Sequence, residues 1–242
     1  MVEYPKTQEI TMKNITITAH SGCEGTPDNS IESIWKGIEL GADFVEIDIR
    51  MDQHGRMWLT HDEPENFAAL VPLETALQTI KESGIGVNCD LKEESLLYPV
   101  LEAAEALGIP REKLVFSGSV NVGLLKKDPD IIKRARIFLN IEQIFPFLSH
   151  DMPQSKEEAA VFFDEHIDEI AELVRELGVE CINPSFRLMP HERIKACLSR
   201  GIQLSLWTVN EEADQARLLR EDLVNITTRN PGSALRLRSE IN

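Results

Sequence analysis

The sequence predicts an α/β protein folded as a (β/α)8 barrel, a TIM barrel, in a single domain over residues 1–242. Short β-branched runs alternate with amphipathic stretches along the whole chain, a pattern typical of repeated βα units and a parallel sheet. No low-complexity segment and no Pro- or Ser-rich linker divides the chain. Its 242 residues, 42% of them hydrophobic, are sufficient for one large core.

Short apolar runs rich in β-branched residues are predicted to be the barrel strands. They are Ile15–Ala19, Phe44–Ile49, Gly86–Leu91, Leu114–Ser117, Ala135–Asn140, Cys181–Ser185, Gln203–Thr208 and Val224–Thr227. The stretches between and after them have the spacing of amphipathic helices. They are Ser30–Leu40, Leu73–Ser83, Leu96–Leu107, Val122–Lys127, Lys156–Leu177, Pro190–Ser199, Glu211–Glu221 and Pro231–Glu240.

Glycines mark where several predicted helices end, because a left-handed C-cap costs least at glycine. These residues are Gly41, Gly84, Gly108, Gly178 and Gly201. The same strands could form an open doubly wound sheet. That alternative lacks its usual phosphate-binding turn, since no GxGxxG motif follows the first strand. The closed barrel is therefore favoured.

One segment interrupts the βα alternation after the second strand. A turn at Asp52–Gly55 is followed by a short extended run, residues 57–60, which ends in His61-Asp62. This pattern predicts a hairpin within the second βα connection. The hairpin would return His61 to the ends of the strands.

The chain is strongly acidic, with 41 acidic and 25 basic residues and a formal net charge of −16. Its mean field repels nucleic acid and anionic membrane surfaces, so we expect no nucleic-acid partner and no stable membrane association. A phosphate-bearing substrate would need a local cation, either a metal ion or a few placed Lys and Arg side chains.

The four cysteines are expected to be reduced, because they are scattered and show no CxxC spacing. The N-terminal segment Met1–Lys13 is polar, and no run of the sequence is apolar enough to span a bilayer. These features predict a cytoplasmic protein.

Ionisable residues are concentrated near the carboxyl ends of the first three predicted strands, where barrel active sites lie. They are His20 after the first strand, Glu46 and Asp48 in the second, Asp90 and Lys92 at the third, and His61 after the hairpin. Residues two apart in a strand share a face, so each pair should project to the same side. If that side is the interior, all six side chains converge at one end of the barrel.

Three carboxylates in one low-dielectric site need a counter-charge, because like charges raise each other's pKa. A divalent cation bound by Glu46, Asp48 and Asp90 would supply it. All-oxygen ligation favours Mg²⁺ or Ca²⁺ over Zn²⁺. With His20 and His61 as an acid/base pair, this set predicts cleavage of a small-molecule phosphodiester.

Each element also has a purely structural explanation. A Glu-x-Asp pair in a strand is usually a solvated face, although here its neighbours Phe44–Ile49 are otherwise apolar. A lone histidine at a strand end is more often structural. Asp90 and Lys92 could form a simple ion pair at the rim. The occurrence of all these residues at neighbouring strand ends favours a functional site over the separate structural explanations.

Short segments spread along the chain occur in a recognisable order. They are His20-Ser21-Gly22, Pro27-Asp28-Asn29-Ser30, Gly41–Asp48, Asp52–Gly55, His61-Asp62 and Trp207-Thr208-Val209-Asn210. This order resembles the motifs HRG, PENT, GADxxExD, DG, HD and WTVN of the glycerophosphodiester phosphodiesterase family. The resemblance spans most of the chain and is thinnest from Leu96 to Val179.

The resemblance implies a phosphoric diester hydrolase that forms glycerol 3-phosphate and an alcohol. It implies that His20 and His61 are the acid/base pair and that Glu46, Asp48 and Asp90 bind one metal ion, with Asp90 in the place of a usual Glu. It further implies that Lys92 contacts phosphate and that Trp207 lines the pocket near the glycerol. Ser21, in the place of the family's Arg, is expected beside the substrate.

Three residues depart from the family pattern. Ser21 replaces Arg, Asp28 replaces Glu, and Thr228 stands where the closing motif has Asp. Loss of the Arg removes a bidentate phosphate contact that Ser cannot replace. Ser21 and Asp28 depart together, which suggests that they form one altered unit.

The inserted lobe that the family usually carries after the HD motif is absent, since only Glu63–Val71 precedes the next helix. An open cavity would suit a bulkier diester. Two alternatives to the leading function therefore stand: phospholipase D-like action on lysophospholipids, and an impaired barrel that binds a phosphometabolite or partner. The predicted helix Lys156–Leu177 is either a surface for homo-oligomers or part of the outer barrel layer.

Overall fold

Eight parallel strands follow one another around a barrel in chain order. The computed structural model describes residues 15–148 and 156–241, so the polar segment Met1–Lys13 lies outside the described residues. The barrel strands are β1 Thr16–Ala19, β2 Phe44–Met51, β4 Gly86–Leu91, β5 Leu114–Gly118, β6 Arg136–Leu139, β7 Cys181–Ile182, β8 Ser205–Leu206 and β9 Asn225–Thr228. Each lies within a residue or a few of its predicted position.

The barrel closes between β7 and β8 through isolated pairs rather than a continuous ladder. Ile182 pairs with Leu204, and Ser185 pairs with Trp207, both in parallel. On the other side, β9 pairs with β1 over four residues. The open doubly wound sheet is therefore excluded, and the predicted single-domain TIM barrel is confirmed.

The predicted hairpin is present after β2. Strand β3, Met57–Leu59, pairs with β2 in antiparallel register, with Ile49 opposite Leu59. The Asp52 carboxylate accepts hydrogen bonds from the backbone N–H groups of His54 and Arg56, which stabilises the turn. Residues 60–72, between β3 and the next α-helix, contain only a 3-10 turn, so no lobe follows the hairpin.

Helices surround the barrel and form the layer that covers its outer face. They are α1 Ile31–Leu40, α2 Leu73–Ser83, α3 Leu97–Ala106, α4 Val122–Lys127, α5 Ile131–Arg134, α6 Lys156–Leu177, α7 His191–Ser199, α8 Glu212–Leu218 and α9 Pro231–Ile241. The glycines predicted to follow helices all have positive φ. Helix α5 was not predicted, because four residues are too few to show a helical period.

The barrel interior is apolar at its lower end and polar at its upper end. Phe44, Val115, Phe138 and Cys181 form an apolar cluster between the strands. Glu46 and Asp48 follow Phe44 on the same face of β2, towards the carboxyl end of the strand. The two larger apolar clusters pack sheet against helices. The fold therefore directs polar strand residues towards one end.

All four cysteines are buried free thiols, as predicted. Within the described ranges, no helix combines the length and the apolar character needed to cross a bilayer.

Candidate active site

A cavity of about 310 Å³ opens at the carboxyl ends of the barrel strands. Seven of the eight predicted site residues line it: His20, Glu46, Asp48, His61, Asp90, Lys92 and Trp207. The eighth, Ser21, is buried to 1% exposure and is not among the lining residues. The barrel therefore brings together residues that are far apart in the chain.

Glu46, Asp48 and Asp90 form a compact carboxylate cluster. One oxygen atom from each lies within 4.8 Å of those of the other two. Strands β2 and β4 pair in parallel with Asp48 opposite Asp90, and this register sets the arrangement. Carboxylate oxygens at this spacing can hold a metal ion.

Lys92 supplies a positive charge to the same cluster. Its Nζ lies 2.7 Å from Asp48 Oδ1 and 2.5 Å from Asp90 Oδ2. Burial opposes its charge, but the two carboxylates outweigh burial and raise the pKa of Lys92 above its ordinary value. The ammonium is therefore retained at every physiological pH.

The three carboxyl groups differ in their tendency to ionise. Burial raises the pKa of Glu46 to about 7, with further contributions from Asp90 and Asp48. Burial also raises the pKa of Asp90. The positive charge of Lys92 lowers this pKa, but not enough to cancel the effect of burial. Burial opposes ionisation of Asp48 too, but Lys92 and the Asn29 amide lower its pKa. The cluster thus places three buried carboxyl groups around a single ammonium, an arrangement in which a further cation would favour ionisation of Glu46 and Asp90.

Asn29 connects the loop after β1 to the metal-ligand candidates. Its Nδ2 donates to Asp48 Oδ2 at 2.8 Å, and its Oδ1 accepts from the Asp48 backbone N–H at 3.0 Å. The Ser21 hydroxyl accepts from the Asn29 N–H at 2.6 Å. Ser21 therefore holds Asn29, which in turn orients Asp48. The sequence located this motif but did not reveal the supporting role.

Arg229, which directly follows β9, supplies a guanidinium close to Asp28, one of the residues that differ from the family pattern. Its Nη1 donates to Asp28 Oδ1 at 2.7 Å, beside the Cα of Gly22. Asp28 is thus paired across the rim of the barrel. Thr228 is fully buried, and its hydroxyl accepts from Gln215 Nε2 at 3.0 Å.

The ring of His20 is held by a backbone carbonyl. Its Nδ1 lies 2.7 Å from the Ser21 carbonyl oxygen, which can only accept, so Nδ1 carries the proton. Its Nε2 lies 3.6 Å from Glu46 Oε1. In the neutral ring, Nε2 is therefore the atom that can accept a proton inside the cavity.

His61 forms a dyad with its neighbour in the chain. Its Nδ1 lies 2.8 Å from Asp62 Oδ1, and Arg50 Nε donates to its backbone oxygen at 2.9 Å. The His61 side chain is 66% exposed and that of Asp62 is 91% exposed. The hairpin thus delivers the second imidazole to the cavity with its Nε2 left for a ligand.

The opposite wall contains polar residues that sequence reasoning missed. Ser117 donates to Asp90 Oδ1 at 2.9 Å, and Asn183 Nδ2 donates to Asn140 Oδ1 at 2.9 Å. Glu142 lies beside Asn140 in the same wall. Their position at the carboxyl ends of β5, β6 and β7 was the available signal. Neutral amides and hydroxyls did not stand out as the carboxylates did.

Comparison with known sequences finds similarity over the first third of the chain and, more weakly, over its whole length. A model of the glycerophosphoryl diester phosphodiesterase family matches residues 20–81. A glycerophosphodiester phosphodiesterase of Caldanaerobacter subterraneus subsp. tengcongensis is 20% identical over 239 residues, covering 93% of this chain and 98% of its own length. The matched segment contains both histidines and two of the carboxylates.

Solved structures share the fold at low sequence identity. A glycerophosphodiester phosphodiesterase from Parabacteroides distasonis superposes with a TM-score of 0.71 at 16% identity, covering 95% of this chain and 99% of its own. An Oleispira antarctica phosphodiesterase in complex with the product sn-glycerol-3-phosphate has a TM-score of 0.67 at 16% identity, covering 93% and 96%.

Proposed function

Because the chain belongs to the glycerophosphoryl diester phosphodiesterase family, we propose that it hydrolyses glycerophosphodiesters to glycerol 3-phosphate and an alcohol. The observation that carries this proposal is the convergence of three carboxylates, one lysine and two histidines on one cavity. A phosphodiesterase that resembles this fold was solved with sn-glycerol-3-phosphate as its product.

Glu46, Asp48 and Asp90 would hold one divalent cation, Mg²⁺ or Ca²⁺. Their oxygen atoms are close enough together to bind one ion, and carboxylate oxygens suit a hard cation. The pKa of Glu46 is raised chiefly by burial and further by Asp90 and Asp48, and a cation at this position would offset both effects. When bound, such an ion neutralises phosphate oxygens and makes the phosphorus more electrophilic.

Lys92 would bind a phosphate oxygen from the cavity wall. In a protein with a net charge of −16, this ammonium is the group that offsets repulsion of an anionic diester. Its pairing with Asp48 and Asp90 fixes its position, so it can contact the phosphate without a change in shape.

His20 and His61 would transfer the protons. An oxygen nucleophile, either water or the neighbouring glycerol hydroxyl, forms a bond to phosphorus while one histidine accepts its proton at Nε2. The bond from phosphorus to the alcohol oxygen breaks, and the other histidine protonates that oxygen. If the glycerol hydroxyl attacks, water then opens the cyclic phosphate by the reverse proton transfers.

The decisive experiment is an activity screen over glycerophosphodiesters with and without EDTA. We expect activity to be lost with EDTA and restored by Mg²⁺ or Ca²⁺. His20→Ala and His61→Ala should each lower kcat by a factor of about 100 to 10,000, the usual contribution of an acid or base. His54→Ala, at an exposed turn, is the matched control. Wild-type rates in either variant would remove that residue from the mechanism.

Action on lysophospholipids is the second candidate. The short segment between β3 and α2 favours it, because residues 60–72 form no lobe beside the cavity and a bulkier diester could enter there. Comparing kcat/KM on a lysophospholipid with that on its deacylated diester distinguishes the two functions. Phosphate binding with no turnover of either would favour the impaired barrel. The cytoplasmic location, the absence of nucleic-acid partners and the oligomeric state stay predictions.

A further inference from the structure

One peptide unit connects the first turn of α1 to the ring of His20. The Ser21 carbonyl oxygen lies 2.7 Å from His20 Nδ1, and the N–H of the same peptide, which belongs to Gly22, donates to Ser33 Oγ at 2.9 Å. A trans peptide is planar, so its C=O and its N–H point in opposite directions and turn together. The acceptor that Ser33 offers on one side therefore determines where the carbonyl on the other side points.

The backbone at Gly22 also allows the opposite orientation of this peptide. Gly22 has a φ of 74°, in the left-handed region. Glycine adopts positive and negative φ about equally readily, so turning the peptide over meets little backbone penalty at this residue. In the overturned form the Ser21 carbonyl would point away from His20. The hydrogen bond from the Gly22 N–H is thus what selects the orientation that supports the ring.

Ser33 is itself fixed in position at the start of α1. Its backbone N–H donates to the N-cap hydroxyl of Ser30 at 3.0 Å, and the residue is 5% exposed. Cys23 Sγ lies 3.6 Å from the Ser33 carbonyl oxygen and 3.9 Å from its hydroxyl oxygen. Burial raises the pKa of the Cys23 thiol, so this neighbour stays neutral. The hydroxyl is therefore a rigid, buried acceptor.

The proton on His20 Nδ1 decides which nitrogen of the ring can react. While the Ser21 carbonyl accepts from Nδ1, the neutral ring keeps its lone pair at Nε2, which lies 3.6 Å from Glu46 Oε1. If the carbonyl turned away, Nδ1–H would lose its acceptor and the tautomer with its proton on Nε2 would compete. In that tautomer Nε2 cannot accept a proton from a nucleophile.

We propose that Ser33 is a positioning residue for His20, which it holds in the Nδ1–H tautomer through the peptide between Ser21 and Gly22. The inference rests on the proposed role of His20 in proton transfer and adds a buried residue that is not among the described residues lining the cavity. Ser21 then serves both parts of the site, since its hydroxyl supports Asn29 and its carbonyl supports His20.

The first test measures the His20 tautomer by NMR and needs no substrate. In a neutral imidazole the protonated and unprotonated nitrogens have well separated chemical shifts, so spectra at about pH 8.5 show which nitrogen carries the proton. His20→Ala identifies the His20 signals by their loss. We expect the Nδ1–H tautomer in the wild-type protein and either a mixture of tautomers or the Nε2–H form in Ser33→Ala.

Ser83→Ala is the matched control for this measurement. The Ser83 hydroxyl also accepts from a backbone N–H, that of Ile85, but it lies just before the start of β4, at the end of the barrel opposite the cavity. Ser83→Ala should keep the wild-type tautomer and the wild-type kcat. A Ser33→Ala ring that stays wholly in the wild-type tautomer overturns the inference, and so does a wild-type ring in the Nε2–H form.

The second test is a double-mutant cycle in kcat on the glycerophosphodiester that the wild-type protein cleaves fastest. Ser33→Ala should lower kcat by about 10- to 100-fold and leave KM within about twofold, because the acid/base group is misaligned while the substrate contacts remain. In a His20→Ala background the same change should have no further effect, since the group that Ser33 positions is absent. Equal losses in both backgrounds would overturn the inference, because Ser33 would then act by another route.

Failure of this inference is distinguishable from failure of the proposed function. If no glycerophosphodiester is cleaved with either cation, the proposed function fails, and the NMR comparison still decides whether Ser33 sets the tautomer. Circular dichroism checks that each variant folds. If Ser33→Ala does not fold, Ser33→Cys takes its place in both tests, because a thiol fills similar space but accepts a hydrogen bond only weakly.

Discussion

At the scale of single residues, Asn29 has more influence on the site than its neutral amide suggests. It bonds both the carboxylate and the backbone N–H of Asp48. Its φ of 53° lies in the left-handed region, which asparagine tolerates better than most residues. Residues that orient metal ligands in this way affect affinity although they never touch the metal.

We expect Asn29→Ala to lower both metal affinity and kcat/KM by about 10- to 100-fold, because Asp48 loses two partners. Calorimetric titration with Mg²⁺ and Ca²⁺ measures the first effect, and steady-state kinetics measure the second. Asn66→Ala is the control, since the Asn66 side chain accepts from the Ala68 N–H at a surface turn and is not among the described residues that line the cavity. Unchanged affinity in Asn29→Ala would show that Asp48 needs no support.

The carboxylate of Asp52 makes stability depend on pH. Burial opposes its ionisation, but hydrogen bonds from the Arg56 backbone and Trp58 Nε1 outweigh burial and lower its pKa to about 2. A carboxylate with a lowered pKa stabilises the folded state above its ordinary pKa and loses that contribution as the pH falls towards the folded value. Asp52→Asn should therefore flatten the loss of stability in acid. Urea unfolding of both proteins from neutral pH down to about pH 2 measures this, and parallel curves would contradict it.

At the scale of elements, the end of β5 determines where Asp90 on β4 can lie. Gly118 closes β5 with a φ of 73°, and a Cβ atom there would overlap Asp90 Oδ1 and the Leu91 carbonyl oxygen. The close approach of the two strands thus requires glycine at this position. Gly84, after α2, has a φ of 77° but open space around it.

The pair Gly118→Ala and Gly84→Ala separates backbone strain from steric overlap. Both should lose about 1 kcal/mol from the positive φ. Gly118→Ala should lose more stability than Gly84→Ala. It should also reduce kcat/KM by roughly a hundredfold, because the added methyl group would displace the Asp90 carboxylate by about 1 Å from its place in the cluster. Thermal unfolding and kinetics of the two variants provide the comparison. Equal behaviour would mean that β4 and β5 separate without affecting Asp90.

At the scale of the whole molecule, the extent of strand pairing differs around the barrel. Strands β2 and β4 pair over six residues, whereas β7 and β8 are joined by isolated pairs. Local opening needs least free energy where few hydrogen bonds must break. Asn183 and Trp207, which line the cavity beside β7 and β8, lie next to the isolated pairs, whereas Glu46, Asp48 and Asp90 lie on the well-paired strands β2 and β4.

Hydrogen exchange should therefore be faster in peptides covering β7 and β8 than in those covering β2 and β4. Exchange followed by mass spectrometry measures it, with the four-residue pairing of β1 and β9 as an intermediate reference. Equal protection of the two seams would indicate that packing rather than pairing limits opening.

Much of the fold could be predicted because each strand and helix of the βα repeat shows its own spacing of apolar residues along the chain. The strand bounds of Gly86–Leu91 and the helix bounds of Leu73–Ser83 agree with the structure, as does the hairpin. Helix α5 was missed because its four residues make barely one turn, which is too little to show a repeated helical period. Six ionisable residues and Trp207 reach one cavity as predicted, since alternation along a strand determines which side chains face inward.

The sequence alone determined the barrel, the hairpin and the ionisable residues at its mouth, because each follows from spacing along a single segment. Only the tertiary structure decided that Ser21 supports Asn29 instead of lining the cavity, that Lys92 lies between two carboxylates, and that Asn183 keeps an unsatisfied acceptor. The first depends on how the loop between β1 and α1 folds, the second on the pairing of β2 with β4, and the third on the packing of the wall after β7. Their distances depend on register and closure, which no local pattern encodes.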